Sequence, residues 1–446
     1  MIALSHLACG RALTTSFRFA IIGSRSPLTL EVWSYWGNTL GVWLQRYKRS
    51  GTTPVDLAMN GYDICDSNNH FDESLQDALR DRAEYDAIRS LHLLGDKLLL
   101  PFILSTLTPD GEDIRCSSID SISLQCIHDF IVDVSDFFAC YRFPKLQCLH
   151  LSTKVRISCW EHLGLHTTAL TTLSLETRNP RPPSTAQLLS ILASNPHLEN
   201  LTLLRYVIPD DNGDGSAIPV PLHRLKKLCL GGSFGPVFRL LNRLDHPEAM
   251  DDMTLFVDSC TAEDILGILG PYIQGHIQRD GRFQDGLGIT AYSDPDFVSI
   301  EVSIINTIEG RTRGVTLATF DATLSEDLSY HAQFQLCIDF VAHTPEENVV
   351  YFGGHLVMDA VRRIVPAMPK IKYLYLICMS LADGFLQPDP NGPLANKKLL
   401  PSLRHLHLEG VILVGDSYYS TSPIKLPAAR GFHSPSLGMT ISVKMW

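Results

Sequence analysis

The chain has little charge and no basic excess. Only 19% of its residues are Asp, Glu, Lys or Arg, and 48 acids against 37 Lys and Arg leave a formal net charge of −11. A surface that neutralises phosphates needs clustered Lys and Arg, so nucleic acid is excluded as the expected partner. An anionic membrane surface is excluded on the same ground. No apolar run approaches the roughly 18 residues of a membrane span. The 11 cysteines include no C-x-x-C pair and no regular spacing, which points to free thiols in a reducing compartment. Neither G-x-G-x-x-G nor a Walker A sequence occurs, and no cofactor is expected. His162 and His166 lie at i, i+4 without the acid of H-E-x-x-H between them, which removes the metalloprotease reading.

What is present is a repeat. The spacing x-L-x-x-L-x-L occurs nine times, its first apolar position falling at Ile88, Ile119, Leu146, Leu170, Leu198, Leu225, Met250, Ile371 and Leu403. Several copies open on proline, as in P-K-L-Q-C-L-H-L (Pro144 to Leu151) and P-K-I-K-Y-L-Y-L (Pro369 to Leu376). The first seven are 24 to 31 residues apart and the last two 32. That period is close to the roughly 20–29 residues of leucine-rich repeats, one short strand and one helix per turn. The expected fold is α/β: a leucine-rich-repeat solenoid with a parallel inner sheet and outer helices, and a small helical N-terminal region. A 45% hydrophobic fraction can fill such a core.

Between the strands lie amphipathic helices. Ser184-Thr185-Ala186-Gln187 reads as a capping box opening Leu188, Leu189 and Leu192. Val237, Leu240, Leu241 and Leu244 follow Pro236 at helical spacing, and Ile265, Leu266, Ile268 and Leu269 follow Thr261. Leu356, Ala360, Val361, Ile364 and Val365 form the last stripe, stopped by Pro366.

The expected division is 1–65 as a helical N-terminal region, 66–415 as the solenoid, and 416–446 as a loosely ordered tail. Within 283–352 the leucine signature gives way to alternating runs, Val298, Ile300, Val302, Ile304 and Phe334, Leu336, Ile338, Phe340. These read as degenerate repeats or as a separate β-domain. Residues 1–30 hold Arg11, Arg18 and Arg25 and no acid before Glu31, the composition of a mitochondrial transit peptide or of an ordinary basic helix.

Side chains alternate along a strand, so the first, fourth and sixth repeat positions point into the core and the third, fifth and seventh outward. The expected partner is a protein held on the concave face. Its candidate contacts are Tyr373, Tyr375, His405, His407 and Glu409, with His150, Glu176, Asn200, Lys227 and Asp252. Aromatic side chains are the types enriched at interface anchors.

Three motifs suggest chemistry instead. Gly231-Gly232-Ser233-Phe234-Gly235 is a G-x-S-x-G sequence between a strand and a helix, the setting of a hydrolase nucleophile, but Ser233 falls where a repeat turns. Asp210 to Gly215 copies the start of an EF-hand loop, yet its twelfth position is Pro221 and not Glu. His405 and His407 could start a zinc site, but the neighbouring repeat offers Tyr373 and Tyr375 and no third ligand. No metal site and no enzyme is expected.

Leu4-Ser5-His6-Leu7 with Cys9, and Trp43-Leu44-Gln45-Arg46 with Pro54-Val55-Asp56-Leu57, resemble the F-box-like leucine-rich-repeat proteins of fungi. The resemblance implies a substrate-recognition subunit of a Skp–cullin–F-box ubiquitin ligase, cytoplasmic or nuclear. The repeats would hold the target, and the segment around Trp33, Trp36 and Trp43 would face a Skp-family adaptor. One element of the family pattern, a Leu-Pro-x-Glu-Ile/Leu helix, has no match in the first thirty residues. A stand-alone repeat scaffold is the alternative.

Overall fold

One turn, used repeatedly, feeds the strands. In Phe143–Leu146, Asn195–Leu198, Leu222–Leu225 and Met368–Ile371 the fourth residue's N–H donates to the first residue's carbonyl at 3.0–3.2 Å. Pro144 and Pro196 hold the second position, where a φ fixed near −65° is already that of the turn. This is why so many copies of the repeat open on proline.

The computed structural model describes residues 55–60, 88–95, 99–108, 115–126, 131–152, 154–158, 160–176, 182–204, 207–210, 219–247, 250–272, 286–294, 297–308, 311–324, 349–355, 370–377 and 402–409, with shorter pieces including Phe19–Ile21, Leu28–Leu30, Leu381–Ala382, Leu413–Val414 and Thr440–Lys444. It is an α/β protein whose strands run largely parallel. The chain divides into two compact units, Met1–Leu225 with Asn242–His246, and Lys226–Leu241 with Pro247–Trp446.

In the first unit β1 (Val55–Asn60), β2 (Ile88–Gly95), β3 (Ser121–Cys126), β4 (Cys148–Leu151), β5 (Thr172–Leu175) and β6 (Asn200–Leu203) pair in chain order, all parallel. Shorter parallel pairs join the same successive turns elsewhere: Arg115–Cys116 with Tyr141–Arg142, Val132–Asp133 with Val155–Arg156, and Val220–Pro221 with Leu244–Asp245. Between strands come α1 (Leu99–Leu107), α2 (Ser135–Cys140), α3 (Trp160–His166) and α4 (Thr185–Ala193). The capping box at α4 forms as the sequence predicts: Gln187 N donates to Ser184 Oγ at 3.2 Å, and Ser184 N donates to Gln187 Oε1 at 2.9 Å. Asn195, just past α4, is wholly buried; its Oδ1 accepts from Leu170 N at 3.0 Å and its Nδ2 donates to Ile191 O at 2.8 Å. Both polar ends are thus satisfied, as burial demands.

Every described member of the nine apolar triads is buried, the most exposed being Leu403 at 7%. Burial on this scale, at about 25 cal/mol per Å² of apolar surface, is what holds each strand to its turn of chain.

The second unit contains β7 (Lys227–Ser233), β8 (Asp252–Cys260), β9 (Leu287–Asp294), β10 (Phe297–Ile308), β11 (Arg311–Leu324), β12 (Val349–His355), β13 (Tyr373–Ile377), β14 (His405–Glu409) and β15 (Thr440–Lys444). Its sheet runs β7-β8-β11-β10-β9-β12-β13-β14-β15. All pairings are parallel except the two made by β10, which is antiparallel to β9 and to β11. The run expected as degenerate repeats therefore contributes a meander to this sheet, neither parallel repeats throughout nor a sheet of its own. Two-residue links, Pro295-Asp296 and Glu309-Gly310, are too short for a parallel crossover.

Other local expectations change. Helix α5 (Phe234–Leu241) buries Val237, Leu240 and Leu241, but Leu244 lies beyond it in a strand. Ile265–Leu269 forms a π turn, whose i→i+5 bonding breaks the 3.6-residue period, and Ile268 is 37% exposed. The described parts of 1–65 are strands, not helix, and the tail supplies β15. The stripe from Leu356 to Val365, the run Phe334 to Phe340 apart from an isolated helical position at Asp339, and Trp33, Trp36 and Trp43 lie outside the described residues.

Candidate functional site

Strand alternation presents one face of each sheet that is partly open. In the first unit two rows cross it in register, Asp56–Ser90–Ser121–Cys148–Thr172–Asn200 and His92–Ser123–His150–Ser174–Thr202. Rungs bond to rungs. Asn200 Nδ2 donates to Thr172 Oγ1 at 3.1 Å, and Ser90 Oγ donates to Asp56 Oδ1 at 2.8 Å. Arg89 Nε donates to the same oxygen at 2.8 Å, and its Nη2 pairs with Asp56 Oδ2. Ser90, an outward position by alternation, is only 6% exposed, and its hydroxyl is bonded to Asp56.

His150 is the centre of this face. Its Nε2 lies 3.0 Å from Gln125 Nε2 and its Nδ1 2.9 Å from Ser174 Oγ. With the Gln125 amide donating to Nε2, the ring proton sits on Nδ1 and donates to Ser174, so the network fits a neutral imidazole. Burial lowers the His150 pKa against the pull of the Glu176 carboxylate. Burial likewise lowers that of His92, against Asp56 and Asp120. In the other row, Cys148 is a thiol kept protonated by burial.

A pH dependence follows. A histidine whose folded pKa lies below the unfolded value of about 6.5 adds stability fully above that value and loses it as pH falls below. The urea midpoint should therefore drop between pH 7.5 and 5.5, and a His92→Gln/His150→Gln variant should flatten the slope. Asp252 and Asp321, raised by burial, act with the opposite sign. An unchanged slope in the variant would remove the two histidines as its source.

In the second unit the open face is aromatic and acidic. Tyr351, Tyr373 and His405 share one row, and Glu301, Thr290, Gly353, Tyr375 and His407 the next. Tyr373 stacks on His405 with ring centroids 4.8 Å apart and 1° between planes, and Tyr375 on His407 at 4.6 Å and 14°. Between them Leu374, Leu376 and Leu406 point into the core. Tyr351 leans over its neighbour: a Cβ on Gly353 would stand 2.7 Å from the Tyr351 hydroxyl and 3.2 Å from its ring. Glycine at 353 is what gives that ring its place.

Acids occupy the strands β8, β11 and β10 of the same sheet. Asp252, in register with Lys227, accepts from Thr254 Oγ1 at 3.3 Å, and Asp321 from Ser299 Oγ at 2.6 Å. Burial raises both carboxyls, and the Glu301 carboxylate raises them further. Burial and Glu301 also raise the Tyr351 phenol. Glu301 is thus within electrostatic reach of Asp252, Asp321 and Tyr351.

The structure brings Tyr373, Tyr375, His405 and His407 together; Glu409 follows on β14, in register with Ile377. Lys227 and Asp252 sit at the β7–β8 end of the same unit. His150, Glu176 and Asn200 belong to the first unit. Sequence reasoning missed Tyr351, Glu301 and Asp321. The alternation Val349, Tyr351, Gly353 carried no usable signal, since Val349 is buried and Tyr351 is not, and the run lacks the leucine spacing.

Ser233 ends β7 exposed, paired in register with Asp258. Among the described residues the non-glycine with positive φ is Ser259, at 59°, so Ser233 lacks the strained backbone of a nucleophile turn. Among the described residues no group of three metal-binding side chains occurs, including at His405 and His407, whose rings are stacked on tyrosines. The EF-hand-like residues Asp211 to Gly215 lie outside the described residues. No protein-family model matches this chain, and no curated protein matches it.

Proposed function

We propose that the chain is a protein-interaction module built as a leucine-rich-repeat solenoid, and that it serves as an F-box-like substrate-recognition subunit of a Skp–cullin–F-box ubiquitin ligase. The observation that carries the interaction reading is the pairing of apolar triads, buried at every described position, with an open face of Tyr, His and acidic side chains. Such a face presents rigid rings at low entropic cost, the composition of binding hot spots. Successive turns joined by parallel pairs at more than one place support the solenoid reading. The ligase connection rests on the Trp43-Leu44-Gln45-Arg46 and Pro54-Val55-Asp56-Leu57 resemblance alone.

The second reading is a stand-alone scaffold, for which the buried triads and the open face suffice without an adaptor. Co-expression of the full chain with a Skp-family adaptor separates the two. The expected result is a stoichiometric complex on size exclusion that is lost when Trp33, Trp36 and Trp43 are replaced by alanine. Clean separation of the two proteins would remove the ligase role and leave the scaffold.

A further inference from the structure

We propose that the aromatic–acidic face of the second unit takes a basic segment of a partner protein, an arginine or lysine running over Tyr351 and Tyr375 towards Glu301. The proposal rests on the interaction reading above and names the chemistry of the partner. The rings give the stem of such a side chain an apolar bed, and their π faces attract its cationic head. Gly353 is buried beneath the Tyr351 ring, and any side chain there would displace that ring from the bed.

Charge complementarity sets the sign of the partner. Glu301 lies in the same row as Gly353 and Tyr375, with Asp321 and Asp252 on the next two strands beyond it, and Lys227 beside Asp252 is a cation whose influence reaches that carboxyl. Burial already disfavours the charged forms of Asp252 and Asp321, and Glu301 disfavours them further. A guanidinium or ammonium brought to Glu301 relieves that crowding, whereas an acidic segment would add to it. A purely apolar segment would strip water from half-buried carboxylates without bringing a charge to offset the loss, which is costly. The acids alone would make only a solvated edge; it is Tyr375 in the row of Glu301, with Tyr351 on the strand between, that turns charge preference into a seat.

The test uses the full chain and four fluorescein-labelled decapeptides, (Arg-Gly)5, (Lys-Gly)5, (Glu-Gly)5 and (Leu-Gly)5, read by anisotropy. The basic peptides should bind, and more weakly as salt rises. Glu301→Gln should weaken them about ten-fold and Tyr375→Ala about five-fold. Gly353→Ala should weaken binding while circular dichroism shows the fold intact. Basic peptides that bind equally well to all three variants would overturn the proposal, since net negative charge alone would then explain them. Binding of the acidic or leucine peptide in a Tyr375-dependent way, without basic binding, would overturn the basic class and leave the docking face standing. No binding by any peptide would overturn both.

Discussion

Phe143→Ala is expected to lower stability by about 3–5 kcal/mol, among the largest losses any single truncation in the first unit should give. Phe143 is wholly buried, and its ring meets those of Phe137, Phe138 and Tyr141 with centroids 5.7 Å apart in each case. All three neighbours are themselves buried, so no water is on hand to fill the space left behind. The cost then includes both the transfer energy of the ring and an unrelaxed cavity, and the tilted and edge-on packing of the four rings goes with it. The position also carries backbone work. Its carbonyl closes the proline turn onto Leu146 N–H, and it bridges in parallel to Thr167. Since alanine keeps the backbone, a comparison with Phe143→Leu isolates the ring: leucine should cost about half as much. Urea unfolding at pH 7.5 measures both, and a loss below about 1 kcal/mol for the alanine variant would show that the cluster collapses to fill the gap.

Much of this was legible in the residues, because the physics involved is local. The apolar triads bury as the alternation requires, and the Ser184–Gln187 box caps its helix, since each depends only on neighbours in sequence. What was not legible depends on partners distant in the chain. Alternation marks Val298 to Ile304 as a strand but carries no information on its direction. The two-residue links that make β10 antiparallel were the available clue. Alternation puts Ser90 outward but does not show that its hydroxyl bonds Asp56 on the neighbouring strand. Tyr351 was missed for a sharper reason. Val350 is an extra residue in β12: Leu287 pairs with Val349 and the next residue, Gly288, pairs with Tyr351. A bulge of that kind cannot be read from a period, because it is an interruption of one.

That bulge leads to the second large effect: Gly286→Ala is expected to cost roughly 2–5 kcal/mol. Two independent penalties meet at this residue. Gly286 has a φ of +138°, a conformation that residues with a Cβ rarely adopt, worth roughly 1–2 kcal/mol. An added Cβ would also stand 2.7 Å from Val350 Cγ2 and 3.1 Å from Cγ1. Valine is stiff at χ1, and Val350 is 8% exposed, so it has no open space to turn into. Overpacking of this type adds roughly 1–3 kcal/mol. The missing side chain of Gly286 is the space into which the bulged Val350 packs, and the bulge is what sets Tyr351 on the open face instead of the core. A slip of one residue would turn the whole strand over. A double variant separates the penalties. Gly286→Ala with Val350→Ala removes the clash and keeps the φ strain, so the two substitutions should couple by about 1–2 kcal/mol. Urea unfolding reads the energies, and hydrogen exchange over Leu287–Asp294 and Val349–His355 should rise in the single variant before it rises elsewhere. If Gly286→Ala unfolds within about 0.5 kcal/mol of the parent protein and both strands stay protected, then the bulge does not depend on this glycine.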